Sequence, residues 1–163
     1  MSFKIRVTKD NLLFCAGHFA TFEGQAEPLH GHNYRVAAVL EGSLDENAWV
    51  FDFVALKKIL KVICDRLDHR VLLPTGNPLV HVQSDGAAFT ARTGHKTYVF
   101  PGEDIVQLPI PNTTAEQLAR WIAGELETEL RSQGANNLTA IEIEVEEVVG
   151  QSAFYRKNLV VTT

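Results

Sequence analysis

Apolar and polar positions alternate with the two-residue period of a β-strand in several stretches of the chain. Each such stretch places its apolar side chains on one face of a half-buried strand. The pattern predicts strands over residues 3–8, 13–16, 33–40, 141–146 and 153–161. The last two are expected to form a hairpin, and the segment 20–29 is expected to be irregular.

Two other segments have apolar residues at three- and four-residue spacing, which predicts amphipathic helices. The first begins after Asp52, a residue type favoured at the N-cap. The second begins at Thr113-Thr114-Ala115-Glu116, which fits a capping box with Thr113 as the cap, and ends before Gly134. The apolar face predicted for the first helix consists of Phe53, Leu56, Leu60, Ile63 and Leu67.

Residues 79–110, between the two predicted helices, contain short strands broken by turns that are rich in glycine and proline. We interpret this section as inserted hairpins. No linker or repeat divides the chain, so residues 1–163 are expected to form one domain. The order of elements predicts an α+β fold with an antiparallel sheet.

Net charge, apolar run length and cysteine count argue against several classes of protein. The net charge of -5 argues against a nucleic-acid-binding surface, which needs clustered lysine and arginine. No apolar run approaches the roughly 20 residues that a membrane helix requires. The two cysteines are too few for a disulfide framework, so we expect a reduced, cytoplasmic setting.

Three histidines stand where strands are predicted to meet. His30 and His32 flank Gly31 at the start of a strand, so both imidazoles project from one face. His18 ends the preceding strand and reaches the same point if the two strands pair. Three imidazoles suit zinc and leave a fourth position open for water or substrate. By itself a His-x-His pair is a weak signal, and two surface or hydrogen-bonded histidines are the alternative.

Asp68 and His69 follow one another at the end of the first predicted helix. They can form a proton-transfer pair, with the carboxylate orienting the imidazole. The alternative is a histidine that is favoured at that position by the helix dipole. His81 and His95 fall in the predicted hairpins and are expected at the surface.

Short motifs along most of the chain, outside residues 79–110, together resemble the family of 6-pyruvoyl- and 6-carboxy-tetrahydropterin synthases. Each motif is short, and their order and spacing make the resemblance specific. The motifs are Ala16-Gly17-His18-Phe19, Leu29-His30-Gly31-His32-Asn33-Tyr34, Val50-Phe51-Asp52-Phe53 with Leu56-Lys57, Leu67-Asp68-His69, Asn112-Thr113-Thr114-Ala115-Glu116, and Val145-Glu146-Glu147 with Tyr155-Arg156.

The resemblance implies a T-fold, in which two helices pack on one face of an antiparallel sheet. Subunits of this fold form a barrel trimer, and two trimers stack into a hexamer. It also implies that His18, His30 and His32 bind zinc.

The resemblance assigns further residues to the substrate. Asp68 and His69 would transfer protons, and the backbone near Thr113 and Thr114 of a neighbouring subunit would help to hold a pterin ring. Glu147 would anchor the ring by accepting two N–H bonds.

Strand parity supports the assignment of Glu147. It falls on the same face as Ile143 and Val145, where a carboxylate is costly unless it has a partner.

The sequence departs from the family at Ala26, where a cysteine acts as the base. A variant of the family that cleaves the side chain uses a glutamate, expected five residues before the His-Gly-His. Glu27 and Glu23 lie nearby at other spacings. Either can serve as the base, Cys15 is a third candidate, and a pterin-binding protein without turnover is the fourth possibility.

The leading hypothesis is a zinc-dependent lyase that acts on 7,8-dihydroneopterin triphosphate. By analogy we favour a 6-carboxy-tetrahydropterin product, as in queuosine precursor synthesis. The alternatives are a 6-pyruvoyl product and aldol cleavage to a 6-hydroxymethyl pterin.

Overall fold

The computed structural model describes residues 1–160, apart from the side chain of Lys9. Its described part contains two helices, α1 (Phe53–Leu67) and α2 (Ala115–Ser132), and a 3-10 turn at Gly102–Asp104. The strands are β1 (Phe3–His18), β2 (Thr21–Phe22), β3 (Gln25–Ala26), β4 (His30–Gly42), β5 (Arg70–Pro74), β6 (His81–Ser84), β7 (Ala88–Thr93), β8 (Lys96–Pro101), β9 (Ile105–Leu108), β10 (Leu138–Val148) and β11 (Gln151–Asn158).

A six-stranded sheet in the order β11-β10-β4-β1-β5-β9 forms the body of the fold. The first four strands pair antiparallel, and β5 and β9 add to the edge in parallel. Helix α1 packs against β1, and α2 packs against β10 and β11. The predicted α+β architecture is therefore confirmed, with a parallel edge that strand periodicity does not reveal.

Strand bounds differ from the predictions in three places. The two strands predicted over 3–16 are one strand, β1, with a break in register between Thr8 and Leu13. The segment expected to be irregular holds the short β2–β3 hairpin. β11 is shifted toward the chain start relative to the prediction, whose last residue, Val161, lies outside the described residues.

The first helix begins as predicted, because the Asp52 carboxylate accepts a hydrogen bond from the Val54 N–H at 2.9 Å. Most of the predicted apolar face is buried. Phe53 is the exception, since it is 49% exposed beside Trp49 in an open groove. The buried members of the face are Leu56, Leu60, Ile63 and Leu67.

The capping box predicted at the second helix is wrong. The N-cap is Thr114, and its side chain makes no capping bond. Thr113 is fully buried, and its hydroxyl donates to the Phe19 carbonyl at 3.0 Å. The Thr113 hydroxyl therefore bonds Phe19, which is distant in sequence, instead of capping the helix. Gly134 follows α2 with φ of 76°, as expected for a helix stop.

The inserted section forms the three-stranded antiparallel sheet β6-β7-β8. Residues 105–108 belong instead to the main sheet as β9, so the predicted hairpins end earlier than 110. The inserted sheet covers a second apolar cluster built on Phe19, Leu73, Val80, Ala91 and Ile105. Within residues 1–160, neither helix has the length and apolar character needed to cross a membrane.

Candidate metal and substrate site

Strand pairing brings His18, His30 and His32 together. His18 lies opposite His30 in the β1–β4 register, and His32 follows two residues later on the same face. The ring centroids are 4.6–5.3 Å apart. One nitrogen from each ring lies within 4.8 Å of the others. This spacing allows all three imidazoles to bind one ion.

His18 is the most constrained member of the triad. Its Nδ1 donates to the Thr113 carbonyl at 2.9 Å, which leaves the lone pair on Nε2. Nε2 is buried and has no hydrogen-bond partner in the described structure. Burial, and then the neighbouring His30, lowers the pKa of His18, so the ring is neutral near pH 7. Metal-binding histidines typically have this arrangement, in which one ring nitrogen donates to a carbonyl and the other is free to bind the ion.

His30 is oriented in the same way. Its Nδ1 donates to the Pro28 carbonyl at 2.9 Å, so Nε2 is the free nitrogen. The triad contains no thiolate and offers three nitrogen donors, which fits an open zinc site. The donor set and the buried Nε2 of His18 both fit the metal that the resemblance implies.

Glu147 adds a carboxylate to this centre. Its Oε1 lies 3.7 Å from Nε2 of His18 and 3.7 Å from Nε2 of His32. The Tyr34 hydroxyl donates to the same oxygen at 3.3 Å. Desolvation, and then the charge of Glu147, raises the pKa of Tyr34, so the phenol stays protonated as a donor. Glu147 lies where the β10–β11 register is broken.

Glu27 lines the same pocket as His18 and His30. Its Oε1 accepts from the Ala20 N–H at 2.6 Å and lies 3.9 Å from Nδ1 of His30. Ala26, where the family has cysteine, packs against the second apolar cluster and does not line this pocket. Glu23 occupies the exposed β2–β3 turn with φ of 50°. Of the two glutamates considered as bases, Glu27 alone lines the pocket.

The pocket has a volume of about 370 Å³, which is within the range of small-molecule sites. Its walls include two of the triad histidines, and Thr114 lines it together with the first turn of α2. Glu27, Glu116 and Glu147 bring three carboxylates, and no lysine or arginine of the described chain lines it. A phosphorylated substrate would therefore depend on cations supplied from outside this pocket wall.

Asp68 and His69 form the predicted pair, with Oδ2 and Nδ1 2.9 Å apart. Partial desolvation opposes the charge of Asp68, but the Cys15 N–H at 2.7 Å and His69 outweigh it, so the pKa of Asp68 is lowered. The His69 side chain is 79% exposed, and its backbone φ is 55°. Neither residue lines the pocket within one chain. His81 and His95 are exposed, as predicted.

Sequence reasoning gave no role to three residues that shape the site. Tyr34 was named only as part of a strand and of a motif, although its hydroxyl donates to Glu147. Asn112 holds the backbone of Thr21 through both atoms of its amide. Lys96 donates to two carbonyls of the loop that carries Glu27. No local pattern signals these contacts, since each joins segments distant in sequence.

Comparison with known proteins gives a consistent result. The sequence model of the family described as 6-pyruvoyl tetrahydropterin synthase matches residues 6–158. A protein of Methanocaldococcus jannaschii, provisionally named 6-carboxy-5,6,7,8-tetrahydropterin synthase, is 38% identical over 149 residues, covering 91% of each chain. The dihydroneopterin monophosphate aldolase of Pyrococcus furiosus is 39% identical over 59 residues, which are 36% of this chain and 50% of that protein.

Among solved structures, the 6-pyruvoyltetrahydropterin synthase of Plasmodium vivax superposes with a TM-score of 0.90. The two sequences are 30% identical, and the match covers 98% of this chain and 99% of that one. That protein has also been solved with a glutamate, described as a catalytic residue, replaced by alanine or by cysteine.

Proposed function

The chain belongs to the 6-pyruvoyl tetrahydropterin synthase family, and we propose that it is a zinc-dependent lyase acting on the side chain of 7,8-dihydroneopterin triphosphate. One observation carries the proposal. The Glu27 carboxylate lies beside the histidine triad, whereas Ala26 faces away from it. A carboxylate that can serve as the base thus lines the pocket even though the usual cysteine is absent, which weakens the alternative of a binding protein without turnover.

His18, His30 and His32 would hold the metal. Bound there, zinc would polarise the side-chain hydroxyls of the substrate and stabilise negative charge on their oxygens.

Glu147 would fix the pterin ring by accepting two N–H bonds from its amino-pyrimidine edge. Tyr34 keeps one oxygen of that carboxylate in place, because its own pKa is raised and its proton remains available for donation. The resemblance implied that the backbone near Thr113 and Thr114 comes from a neighbouring subunit, but Thr114 lines the pocket of its own chain and would contact the ring there. The buried Thr113 would act only through His18.

Asp68 and His69 would exchange a proton with the substrate from a neighbouring subunit. Within one chain the pair lies outside the pocket, while His69 is open to the surface. A trimer or hexamer in which the exposed imidazole meets the pocket of the next copy satisfies both observations.

The product is proposed to be a 6-carboxy-tetrahydropterin, the assignment carried by the name of the relative from Methanocaldococcus jannaschii. A second candidate is the 6-hydroxymethyl pterin, which is favoured because Glu27, and no cysteine of the described residues, lines the pocket. A carboxylate is a weaker base than a cysteine thiolate, so it is better matched to an activated hydroxyl than to a carbon acid. The likeness to the aldolase of Pyrococcus furiosus supports this candidate. The catalytic glutamate of the Plasmodium vivax protein supports a glutamate as the base, whichever product is formed.

In the second route, Glu27 takes the proton of the hydroxyl on the second side-chain carbon. That carbon becomes a carbonyl as its bond to the first side-chain carbon breaks. The electron pair left on the first carbon is stabilised by the ring and takes up a proton, so a two-carbon loss gives the hydroxymethyl pterin.

The test incubates the zinc-loaded protein with 7,8-dihydroneopterin triphosphate and identifies the products by mass spectrometry. Glu27→Gln should lower kcat about a hundred- to ten-thousand-fold, the usual contribution of a positioned base. Glu23→Gln is the matched control and should leave kcat unchanged. Ala26→Cys should give no gain, because that position packs against the second cluster. A parent without turnover, or a Glu27→Gln variant as fast as the parent, would overturn the proposal.

A further inference from the structure

The loop between β1 and β4, residues 19–29, carries the Glu27 carboxylate and is held from two sides. On the side of the main sheet, Asn112 accepts from the Thr21 N–H at 3.0 Å and donates to the Thr21 carbonyl at 2.9 Å. Asn77 donates to the Thr21 hydroxyl at 2.7 Å. These bonds fix the first strand of the β2–β3 hairpin, in which Thr21 is the pairing partner of Ala26.

On the side of the inserted sheet, the loop is held by Lys96. The Lys96 ammonium donates to the Ala26 carbonyl at 2.7 Å and to the Glu27 carbonyl at 2.9 Å. Lys96 is half-buried and opens β8. Bonds from a charged donor to two consecutive carbonyls are stronger than neutral ones. The Ala26 carbonyl belongs to the peptide that joins Ala26 to Glu27, whose N–H donates to the Ala20 carbonyl at 3.0 Å. The Glu27 carbonyl belongs to the next peptide, so Lys96 holds the backbone on both sides of the Glu27 Cα.

The same sheet supports the loop through apolar contacts. Phe19, at the start of the loop, stacks on Tyr98 of β8 with ring centroids 5.4 Å apart. Ala26 packs against the cluster that contains Phe19. Strand β8 therefore contacts the start of the loop through the Tyr98–Phe19 stack and its end through the hydrogen bonds of the Lys96 ammonium.

The orientation of this peptide decides where the carboxylate points. Ala26 and Glu27 are consecutive, and their side chains go to opposite places, one into the second cluster and the other into the pocket. Rotation of the peptide that joins them would move the carboxylate off the Ala20 N–H, which it now meets at 2.6 Å. A displacement of about 1 Å at a reacting group can cost a hundredfold in rate.

We infer that Lys96 is a positioning residue for Glu27, and that the inserted sheet serves the reaction by holding the loop that carries the base. The expected loss of kcat on removing Lys96 rests on the proposed role of Glu27 as the base. The structural consequence of the inference, the order of residues 19–29, does not depend on which substrate is turned over.

The first test measures amide hydrogen exchange in the zinc-loaded protein. Lys96→Met, which keeps the aliphatic stem and removes the donor, should speed exchange across residues 20–28 by about tenfold or more, with little change in α1. Lys96→Arg should restore most of the protection, because its guanidinium also donates to two carbonyls. Arg92→Met is the matched control, since Arg92 is an exposed cation of the same sheet bonded to Gln83. Unchanged exchange in Lys96→Met overturns the inference even if the protein is an active lyase.

The second test is a kinetic cycle with Glu27→Gln. Lys96→Met alone should lower kcat about 10- to 100-fold, with KM and zinc content near those of the parent. In the Glu27→Gln background the same substitution should have almost no further effect, because the group that it positions is already gone. An equal loss in both backgrounds would show that Lys96 acts by another route.

The two tests distinguish a failure of the positioning role of Lys96 from a failure of the proposed function. Should Lys96→Met fold poorly, Lys96→Gln provides a neutral donor for the same measurements and should show intermediate protection. A parent that turns over no pterin removes the proposed function, while the exchange experiment still decides whether Lys96 orders the loop.

Discussion

The Thr113 carbonyl lies 2.9 Å from Nδ1 of His18 and fixes which nitrogen of that ring faces the candidate metal site. The Thr113 hydroxyl is 3.3 Å from the same nitrogen and donates to the Phe19 carbonyl. Thr113 thus joins the start of α2 to the strand end that carries the most buried histidine of the triad. Partners of this kind set the ring orientation of metal-binding histidines.

Thr113→Val keeps the carbonyl that bonds His18 and removes the hydroxyl that ties Thr113 to Phe19, so it should weaken zinc binding by up to about tenfold, the lower end of the range for partners behind a ligand. It should also lower the free energy of unfolding by about 1–3 kcal/mol, since the Phe19 carbonyl loses its buried donor. Competition with a chelator gives the zinc Kd, and urea denaturation gives the stability. Thr113→Ser should behave like the parent, and Thr128→Val, which removes an exposed hydroxyl bond on α2, serves as the control. Equal zinc affinity in all four proteins would contradict this role.

The histidine triad should bind one zinc ion per subunit. His18→Ala, His30→Ala and His32→Ala should each lose the metal, because two remaining imidazoles leave too few ligands for a stable site. Metal content by atomic emission after gel filtration provides the measurement. His81→Ala removes an exposed histidine of the inserted sheet and should keep full occupancy. Full zinc occupancy in any of the three triad variants would contradict the assignment of that ligand.

Glu147 should dominate the affinity for the pterin ring. Glu147→Gln removes the charge from the acceptor, and loss of a charged hydrogen bond of about 1.5–3 kcal/mol corresponds to roughly 10- to 150-fold in Kd. Binding of a non-reacting pterin, followed by fluorescence, isolates this effect from turnover. Glu146→Gln is the neighbouring control, because Glu146 bonds the Gly150 N–H at the exposed turn. Zinc content must be equal in the proteins compared, since Glu147 also lies near His18 and His32. Parent-like affinity in Glu147→Gln would place the anchor elsewhere.

The two cysteines should differ sharply in reactivity. Burial raises the pKa of the Cys64 thiol to about 12, so at pH 8 it is almost entirely protonated and shielded. Cys15 is only partly buried. A thiol reagent at pH 8 should thus label the native protein at Cys15 alone, and Cys64 only after unfolding. Peptide mapping locates the label, and Cys15→Ser should abolish native labelling. Rapid native modification of Cys64 would show that the core opens locally.

Cys15 was also a candidate base, and its position argues against that role. It lies in β1 and does not line the pocket. Cys15→Ser should accordingly keep kcat within about twofold of the parent, whereas removal of a positioned base costs a hundredfold or more. Steady-state rates on one substrate, with Glu27→Gln measured alongside, make the comparison. A large loss in Cys15→Ser with normal zinc content would revive the cysteine hypothesis.

The local sequence pattern predicted the structure correctly where interactions between residues close in sequence determine it. The two-residue period of β4 places His30 and His32 on one face, and pairing with His18 follows from the antiparallel neighbour. Asp52 caps α1 because its carboxylate meets an amide two residues on. The resemblance to the pterin synthases rested on such motifs, and the family comparison confirmed it.

Local pattern failed where a distant segment competes for the same group. Thr113 fits a capping box, yet its hydroxyl serves Phe19, 94 residues away in sequence. The capping bond is worth only about 1 kcal/mol, so a buried tertiary partner can displace it.

The sequence by itself therefore determined the α+β class, the candidate histidine triad and the family. The tertiary structure decided that Glu27, next to the missing cysteine, lines the pocket, in a loop whose backbone bonds Lys96, 69 residues further along the chain. It also placed Asp68 and His69 outside the pocket of their own chain. Periodicity reports the face of a single element, whereas these positions depend on contacts between elements that only the packed fold brings within a few ångströms.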